Sequence, residues 1–146
     1  MSRMTADIRP VRTERDLTAC FPVMQLLRPH LTTPSELVER VQRQASDGYR
    51  LLAAWSGEAV VGAAGYRMQE NLIRGRFCYV DDLVVAEPER RNGLGARLLD
   101  AVAAEAGKAG ISRLTLDTGF DNLLGQRFYF RYGMLPASLR FAKTLD

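Results

Sequence analysis

Residues 84–96 organise the chain, and they read Val-Val-Ala-Glu-Pro-Glu-Arg-Arg-Asn-Gly-Leu-Gly-Ala. The stretch ends an apolar strand and opens a helix at its two glycines. A helix N-terminus presents backbone N–H groups that have no partner inside the helix, and the helix dipole adds positive potential there. Gly93 and Gly95 let an anion approach the main chain closely, while Arg90 and Arg91 can add charge-assisted hydrogen bonds. The stretch therefore predicts a site for a phosphate or pyrophosphate; the alternative for a lone G-x-G is a turn with a glycine-rich helix start.

Composition sets broad limits on the protein class. A chain of 146 residues can bury a core of its own, so we expect one domain over residues 1–146. The net charge of +3 comes from scattered basic residues, which favours an anionic ligand weakly and predicts no nucleic-acid partner. Charges interrupt the N-terminus where a signal peptide needs an apolar run, and no stretch reaches membrane-spanning length. We expect a cytoplasmic protein without a membrane partner.

Two cysteines and one histidine limit the available chemistry. Cys20 and Cys78 are too few and too isolated for a disulfide framework or a metal site, so no metal is expected. A Ser-His or Cys-His catalytic pair would have to use His30, and no G-x-S-x-G motif accompanies it. Nucleophilic catalysis by such a pair is therefore not expected.

Apolar periodicity predicts the order βααβββαβαβ. This is an α/β (α+β) domain with a mixed central sheet of about six to seven strands flanked by four helices. The strands are expected at 7–12, 49–55, 59–68, 76–85, 113–117 and 138–145. The helices are expected at 16–27, from Thr33 to Gly48, from Leu94 to Gly107 or Gly110, and from Asp121 or Asn122 to Tyr132. Because a helix connects strands 76–85 and 113–117, those two strands should be parallel.

Two acidic residues interrupt the buried strand at 76–85. Asp81 and Asp82 are adjacent, and on a regular strand their side chains point to opposite faces. Buried carboxylates need a partner or a function. One reading has one carboxylate solvated and the other accepting backbone hydrogen bonds, and the other reading gives them a role in a site.

Two other nucleotide-binding patterns fail here. A strand, G-x-G, a helix and Asp117 superficially match the dinucleotide fingerprint. The third glycine position is Leu98, however, seven residues (86–92) separate the strand from the glycines, and too little chain follows for the remaining strands. The sequence also lacks G-x-x-x-x-G-K-[ST], which excludes an NTP-hydrolysing P-loop.

A second motif lies about thirty residues beyond the first. Residues 122–134 read Asn-Leu-Leu-Gly-Gln-Arg-Phe-Tyr-Phe-Arg-Tyr-Gly-Met. Together with Arg90-Arg-Asn-Gly-Leu-Gly95, this stretch resembles the GCN5-related N-acetyltransferase (GNAT) family. The first motif matches the family's [Q/R]-x-x-G-x-[G/A] signature, and the second is similar to N-x-x-A-x-x-F-Y-x-x-x-G-F, with Gly125 in place of Ala and Met134 in place of Phe. The resemblance covers at least residues 49–134, and the two N-terminal helices lie where the family keeps its acceptor-binding helices.

The resemblance implies transfer of an acetyl group from acetyl-CoA to a primary amine by direct attack, without a covalent enzyme intermediate. It implies that the main chain of Leu83, Val84 and Val85 pairs with the pantetheine arm and that the 83–85 strand splays from the next one to admit the thioester. It also implies an oxyanion-stabilising N–H near Val84 or Val85. The remaining cofactor-binding residues that it implies are Arg90, Arg91, Asn92, Gly93, Leu94, Gly95, Ala96, Asn122, Gly125, Phe128 and Tyr129.

An acetyltransferase of this kind also needs proton-transfer groups. Carboxylates are the candidate bases. Asp82 and Asp117 are favoured equally, Asp81 comes third, and Glu70 is the least favoured. Each of them could instead be a solvated or capping group. Tyr129 is the candidate acid for the departing thiolate. Gly125 lies one turn earlier on the same helix face. A glycine inside a helix costs about 1 kcal/mol of helix stability relative to Ala, and this cost is understandable if that face leaves room for a ligand. The alternative places Tyr129 in an aromatic core cluster.

The acceptor is expected to be a small-molecule or peptide amine. Its candidate lining residues are Gln25, Arg28, His30 and Tyr66. We further expect a homodimer. The alternative function is a non-catalytic acyl-CoA sensor, which would keep the phosphate site and show no turnover.

Overall fold

A computed structural model of the chain describes residues 5–146. Residues 1–4, which carry part of the N-terminal charge pattern discussed above, lie outside the described residues. The elements follow in the order β1 (Asp7–Pro10), α1 (Glu14–Leu27), α2 (Pro34–Ala45), β2 (Arg50–Ser56), β3 (Ala59–Asn71), β4 (Gly75–Val85), α3 (Leu94–Lys108), β5 (Leu114–Leu116) and α4 (Leu123–Tyr132), with one 3₁₀ turn, Glu87–Glu89, between β4 and α3. The predicted mixed α/β fold with four helices is confirmed.

The sheet has the strand order β1-β2-β3-β4-β5. The first three neighbouring pairs are antiparallel, and β4 and β5 are parallel, as the helical crossover between them predicts. Gly57, with φ of +62°, lies in the turn that joins β2 to β3. Pro10 lies in the edge strand β1, where its missing N–H costs no ladder hydrogen bond within the sheet.

The sheet is buried on both faces. On one face it packs against α3, whose Leu98, Leu99 and Val102 are fully buried. On the other face it packs against α1 and α2. Both of these helices begin at threonine caps, because Thr13 accepts from the N–H of Asp16 and Thr33 from that of Glu36. The result is a three-layer arrangement with the sheet in the middle.

A β-bulge in β4 places Asp81 and Asp82 on the same face of the sheet. In the ladder with β3, Tyr66 lies opposite Val80 and Gly65 opposite Asp82, so Asp81 has no partner. The bulge shifts the alternation of side chains by one residue: Val80 packs on the α3 side, whereas Val84 packs on the side of α1 and α2. The prediction that the two carboxylates point to opposite faces is therefore wrong, because it assumed a regular strand.

A gap opens between β4 and β5. The two strands pair only from Cys78 to Val80, opposite Leu114 to Leu116, whereas β4 continues to Val85. Pair types alternate along an antiparallel ladder, and the Ala86 N–H donates to the Val61 carbonyl over 2.8 Å. It follows that Val84 is hydrogen-bonded to β3, while the main-chain groups of Leu83 and Val85 face the gap.

The sheet ends at β5, so it has five strands and not the six to seven expected. The segment 138–145, predicted as a last strand, forms no strand in the described residues. It is exposed along its length, and Phe141 is 90% accessible. Arg140 anchors it through an ion pair with Asp117. The alternation of Leu139, Phe141 and Leu145 is typical of a strand, but a strand forms only where a neighbouring backbone accepts its hydrogen bonds.

Candidate active site

The start of α3 presents unpartnered N–H groups. Gly93, with φ of +79°, caps the helix without a side-chain hydrogen bond, and the first intrahelical bond runs from the Arg97 N–H to the Gly93 carbonyl. The N–H groups of Leu94, Gly95 and Ala96 precede that bond and donate to no group of residues 5–146. Arg91 also lies in the left-handed region, with φ of +72°. Such a loop forms a concave cluster of donors of the kind that binds anions.

The two glycines of this loop have different physical reasons. At Gly93 the backbone conformation requires glycine, because φ is positive. Space is not the constraint there, since a β-carbon would meet no atom within 4 Å. Gly95 has ordinary φ, but its β-carbon would lie 3.1 Å from a ring carbon of Phe128. Gly95 thus lets α4 pack against the start of α3. Packing against α4 is thus a second reason for Gly95, beside the anion approach predicted from the sequence.

Arg90 closes the loop onto β4. Its Nε donates to the carbonyl of Val85 over 3.1 Å, so the carbonyl is occupied and the Val85 N–H remains directed at the gap. Arg91 and Asn92 are exposed beside the loop. Arg90 therefore links the two predicted cofactor-binding stretches, 83–85 and 90–96.

The glycine in α4 accommodates a helix cap. A β-carbon on Gly125 would overlap the amide group of Asn122, whose Oδ1 accepts from the Gly125 N–H over 3.1 Å. The expectation that this face leaves room for a ligand gave the wrong reason for Gly125, because the Asn122 side chain fills the space. Gly125 therefore gives no support to a ligand beside Tyr129.

Tyr129 is half-buried against the α3-side core. Its ring meets Phe128 edge-on, with centroids 5.3 Å apart, and burial raises the pKa of its phenol. The Tyr129 hydroxyl makes no hydrogen bond within residues 5–146, whereas that of Tyr132, one turn later, donates to Asp100 over 2.7 Å. The ring is thus part of the aromatic cluster, and its hydroxyl is available to a bound group.

Asp82 lies in a compact network with two residues from other elements. Oδ2 accepts from the Tyr49 hydroxyl over 2.7 Å, and Oδ1 accepts from the Arg28 Nε over 3.0 Å. The Arg28 guanidinium also donates from Nη2 to the main-chain carbonyl of Asp81 over 2.9 Å. Arg28, at the end of α1, therefore fixes the bulge and the Asp82 side chain together.

Tyr49 was missed by the sequence analysis. It is buried, and both burial and the neighbouring Asp82 carboxylate raise the pKa of its phenol well above the ordinary value. Its ring occupies the space over Gly65, where a β-carbon would overlap it. No local pattern marks Tyr49, since its partners lie 16 and 33 positions later in the chain.

The other two candidate carboxylates have different partners. Asp81 is held by Arg67, whose Nε and Nη2 donate to its two oxygens over 3.0 and 2.7 Å. Asp117, just beyond β5, accepts from the Tyr79 hydroxyl over 2.7 Å and pairs with Arg140. Burial and the hydrogen bond to Asp117 raise the pKa of Tyr79 to about 12. Asp81 and Asp82 thus lie together at the bulge. Asp117 contacts Tyr79 and Arg140, and these two residues line a second cavity, of about 330 Å³, together with Asp81.

A cavity of about 300 Å³ lies between α1, α2 and the bulge of β4. Asp81, Asp82, Arg28 and His30 line it, and the last two are among the residues predicted to line the acceptor site. Two other predicted lining residues lie elsewhere. The Gln25 amide donates to the Leu31 carbonyl, and Tyr66 is buried in the core on the opposite, α3 face. Glu70 lies on exposed β3 opposite Arg76.

Within residues 5–146, no group of three or more His, Cys, Asp or Glu side chains could hold a metal ion. None of the helices described is long and apolar enough to cross a membrane.

The donor-rich helix start, the gap between β4 and β5 and the paired carboxylates at the bulge agree with the family that the two sequence motifs resemble. The acetyltransferase (GNAT) family matches residues 12–134. The chain belongs to this family.

Curated proteins and solved structures agree with this assignment. The chain is 25% identical over 139 residues to the uncharacterised N-acetyltransferase YhdJ of Bacillus subtilis, covering 94% of this chain and 98% of that protein. It is 36% identical over 98 residues to the aminoalkylphosphonate N-acetyltransferase of Salmonella typhimurium, covering 66% of this chain and 62% of that protein. The structure of AAC(6')-Iy in complex with a CoA-linked bisubstrate analogue matches with a TM-score of 0.82 at 17% identity, covering 98% of this chain and all of that one. This last likeness shows a common fold.

Proposed function

We propose that this protein transfers an acetyl group from acetyl-CoA to the nitrogen of a primary amine. One observation carries the proposal: the N–H groups of residues 94–96 are free, and Arg90 joins their loop to β4, where the Leu83 main chain and the Val85 N–H face the gap. The pyrophosphate would bind at the loop 91–96, and the pantetheine arm would add to the free edge of β4 like another strand. The CoA-linked analogue bound to the structural neighbour AAC(6')-Iy supports this cofactor.

The reaction needs no covalent intermediate on the protein. The amine nitrogen attacks the thioester carbonyl carbon, a C–N bond forms, and the carbonyl oxygen becomes an oxyanion. The Val85 N–H, which faces the gap, is the donor we propose for that oxyanion, in place of Val84, whose N–H is directed at β3. Collapse breaks the C–S bond, and the Tyr129 hydroxyl gives its proton to the departing sulfur.

The amine must lose a proton, and we propose Asp82 as its acceptor, directly or through water. Asp82 lines the cavity beside α1 and α2, and it precedes Leu83, the first residue of the free edge. Asp117 binds Tyr79 and Arg140 and is not among the residues of that cavity. The name of the curated Salmonella typhimurium relative, an aminoalkylphosphonate N-acetyltransferase, supports a small-molecule acceptor. A cytoplasmic location remains part of this proposal.

Two measurements test the function. Calorimetry with CoA should detect binding, and thiol release from acetyl-CoA should occur with at least one amine of a broad panel. Binding without turnover on any amine would favour the sensor alternative, and absence of CoA binding would contradict both. Among matched variants, Asp82→Asn should lower turnover by about 10²-fold or more, and Asp117→Asn by much less. The reverse order would assign the base to Asp117.

A further inference from the structure

The walls of the proposed acceptor cavity carry different charged side chains, and each carboxylate on the β4 wall already pairs with an arginine. Asp81 and Asp82 belong to the β4 wall, whereas Arg40 lies on α2 and His30 on the connection between α1 and α2. Apolar side chains, including Leu37 and Val41, also line the cavity. A ligand that contacted both polar walls would therefore carry a cationic or amine end, a short apolar middle and an anionic end.

The arginines at the cavity differ in how far they are already engaged. Arg28 already donates from Nε to Asp82 and from Nη2 to the Asp81 carbonyl, so its guanidinium is engaged on the β4 wall. Arg40 makes one ion pair, between its Nη2 and Oε1 of Glu36 at 3.1 Å, and both side chains are partly exposed. An exposed i,i+4 pair of this kind is weak and screened by salt.

Glu36 has partners other than Arg40. Its Oε2 accepts from the N–H and the hydroxyl of Thr32, each over 3.0 Å, and the backbone hydrogen bond is the main reason that its pKa is lowered. The Arg40 guanidinium carries five N–H donors in a planar fork that suits carboxylate, phosphate or phosphonate oxygens. His30 is exposed at the same cavity and makes no hydrogen bond with residues 5–146. Arg40 and His30 thus retain donors for an anion.

We propose that the acceptor is a small amine that also carries an anionic group, a phosphonate, phosphate or carboxylate, which binds Arg40 and His30 while the amine lies at Asp81 and Asp82. The inference rests on the proposed function, because it takes the cavity as the acceptor site. The cavity volume of about 300 Å³ is at the lower end for ligand sites, which favours a compact molecule with a few carbons between amine and anion.

Calorimetry on the full chain saturated with CoA tests this inference without requiring turnover. The probes are 2-aminoethylphosphonate, β-alanine and ethanolamine, which share a two-carbon spacer and differ in the group at the far end. We expect the two anionic amines to bind at least about tenfold more tightly than ethanolamine, because charge-assisted pairs are the strong ones. Arg40→Gln should remove that preference. Arg43→Gln, one turn later on the same helix and outside the cavity lining, is the matched control and should keep it.

The possible results separate this inference from the proposed function. Equal binding of the three amines, tighter binding of ethanolamine, or no binding of any of them would overturn the inference. Retention of the preference in Arg40→Gln would also overturn it. Failure of the proposed function would instead show as absence of CoA binding or of thiol release from acetyl-CoA, both measured separately with the wild-type chain.

Discussion

Tyr49 donates its phenol hydrogen to Oδ2 of Asp82 over 2.7 Å, and the ring has room to do so because residue 65 is glycine. Gly65 lies directly opposite Asp82 in the ladder between β3 and β4. One position without a side chain therefore admits a buried phenol from the start of β2 and directs it at the proposed base. Together with Arg28, this arrangement leaves Asp82 little rotational freedom.

Removal of the Tyr49 hydroxyl should impair turnover. Tyr49→Phe keeps the ring and deletes the hydrogen bond, so we expect turnover to fall about tenfold and stability to fall by about 1–3 kcal/mol, since the Asp82 carboxylate loses a buried donor. Tyr79→Phe is the matched control, because it deletes a bond of the same 2.7 Å length to Asp117. Steady-state thiol release and urea unfolding measure the two effects. An equal loss of turnover in both variants would contradict a special role for Tyr49.

The charge at position 93 should decide CoA affinity. Gly93→Asp and Gly93→Asn place side chains of similar size at a φ of +79°, a conformation that Asp and Asn tolerate better than other non-glycine residues. We expect Gly93→Asp to abolish binding through repulsion of the pyrophosphate, whereas Gly93→Asn should retain much of it. Calorimetry with CoA provides the comparison. Similar affinities in the two variants would argue against an anion at this loop. Gly95→Asp is also expected to abolish binding, but it would press on Phe128 as well.

Tyr129→Phe should lower turnover by about 10²-fold or more, the range typical of a lost proton-transfer group, with little change in acetyl-CoA affinity. The ring contact with Phe128 is preserved in this variant, so packing should survive. The rate must be measured where chemistry limits it. Full turnover in Tyr129→Phe would leave Tyr129 with its place in the aromatic cluster alone.

Stability should fall in alkaline solution. Burial and the hydrogen bond to Asp100 raise the pKa of Tyr132 to about 12 in the folded protein. In the unfolded chain the phenol has a pKa of about 10, so above that pH the folded state holds a proton that the unfolded state has lost. The contribution of the Tyr132 phenol to the free energy of unfolding is therefore complete below pH about 10 and is lost as the pH rises to about 12. Urea midpoints at increasing pH should fall less steeply in Tyr132→Phe than in the wild type; identical slopes would refute the assignment.

The homodimer expected from the sequence stays a prediction, and the C-terminal segment is where we expect its contact. Leu139, Phe141 and Leu145 lie on an exposed segment without regular secondary structure, and β5 is an edge strand of the sheet. In a dimer, the C-terminal segment of each copy would pair with the open edge of β5 in the other copy. Phe141→Ser should shift sedimentation equilibrium toward monomer. Ile73→Ser, equally exposed in the turn between β3 and β4, should not; a monomeric wild type would refute the prediction.

The sequence by itself determined the helices, most of the strands and the donor-rich start of α3, because these depend on local patterns. The spacing of Leu94, Leu98, Leu99 and Val102 predicts α3, and the glycines with their flanking arginines predict a donor-rich start to that helix. The same holds for the Thr33 cap and the turn at Gly57. The strand at 138–145 was predicted by the same periodicity and does not form, because pairing depends on a distant backbone and not on the pattern itself.

Tertiary structure decided which carboxylates lie together. A bulge at Asp81 turns Asp82 to the same face, Gly65 admits Tyr49, and Arg28 arrives from the end of α1. None of these contacts leaves a local sequence signal, since bulges and long-range hydrogen bonds arise from the register between strands that are far apart in the chain. A one-residue shift in register moves every following side chain to the other face of the sheet. The sequence could therefore identify the carboxylates as candidates, but only the assembled sheet could bring Asp81 and Asp82 together.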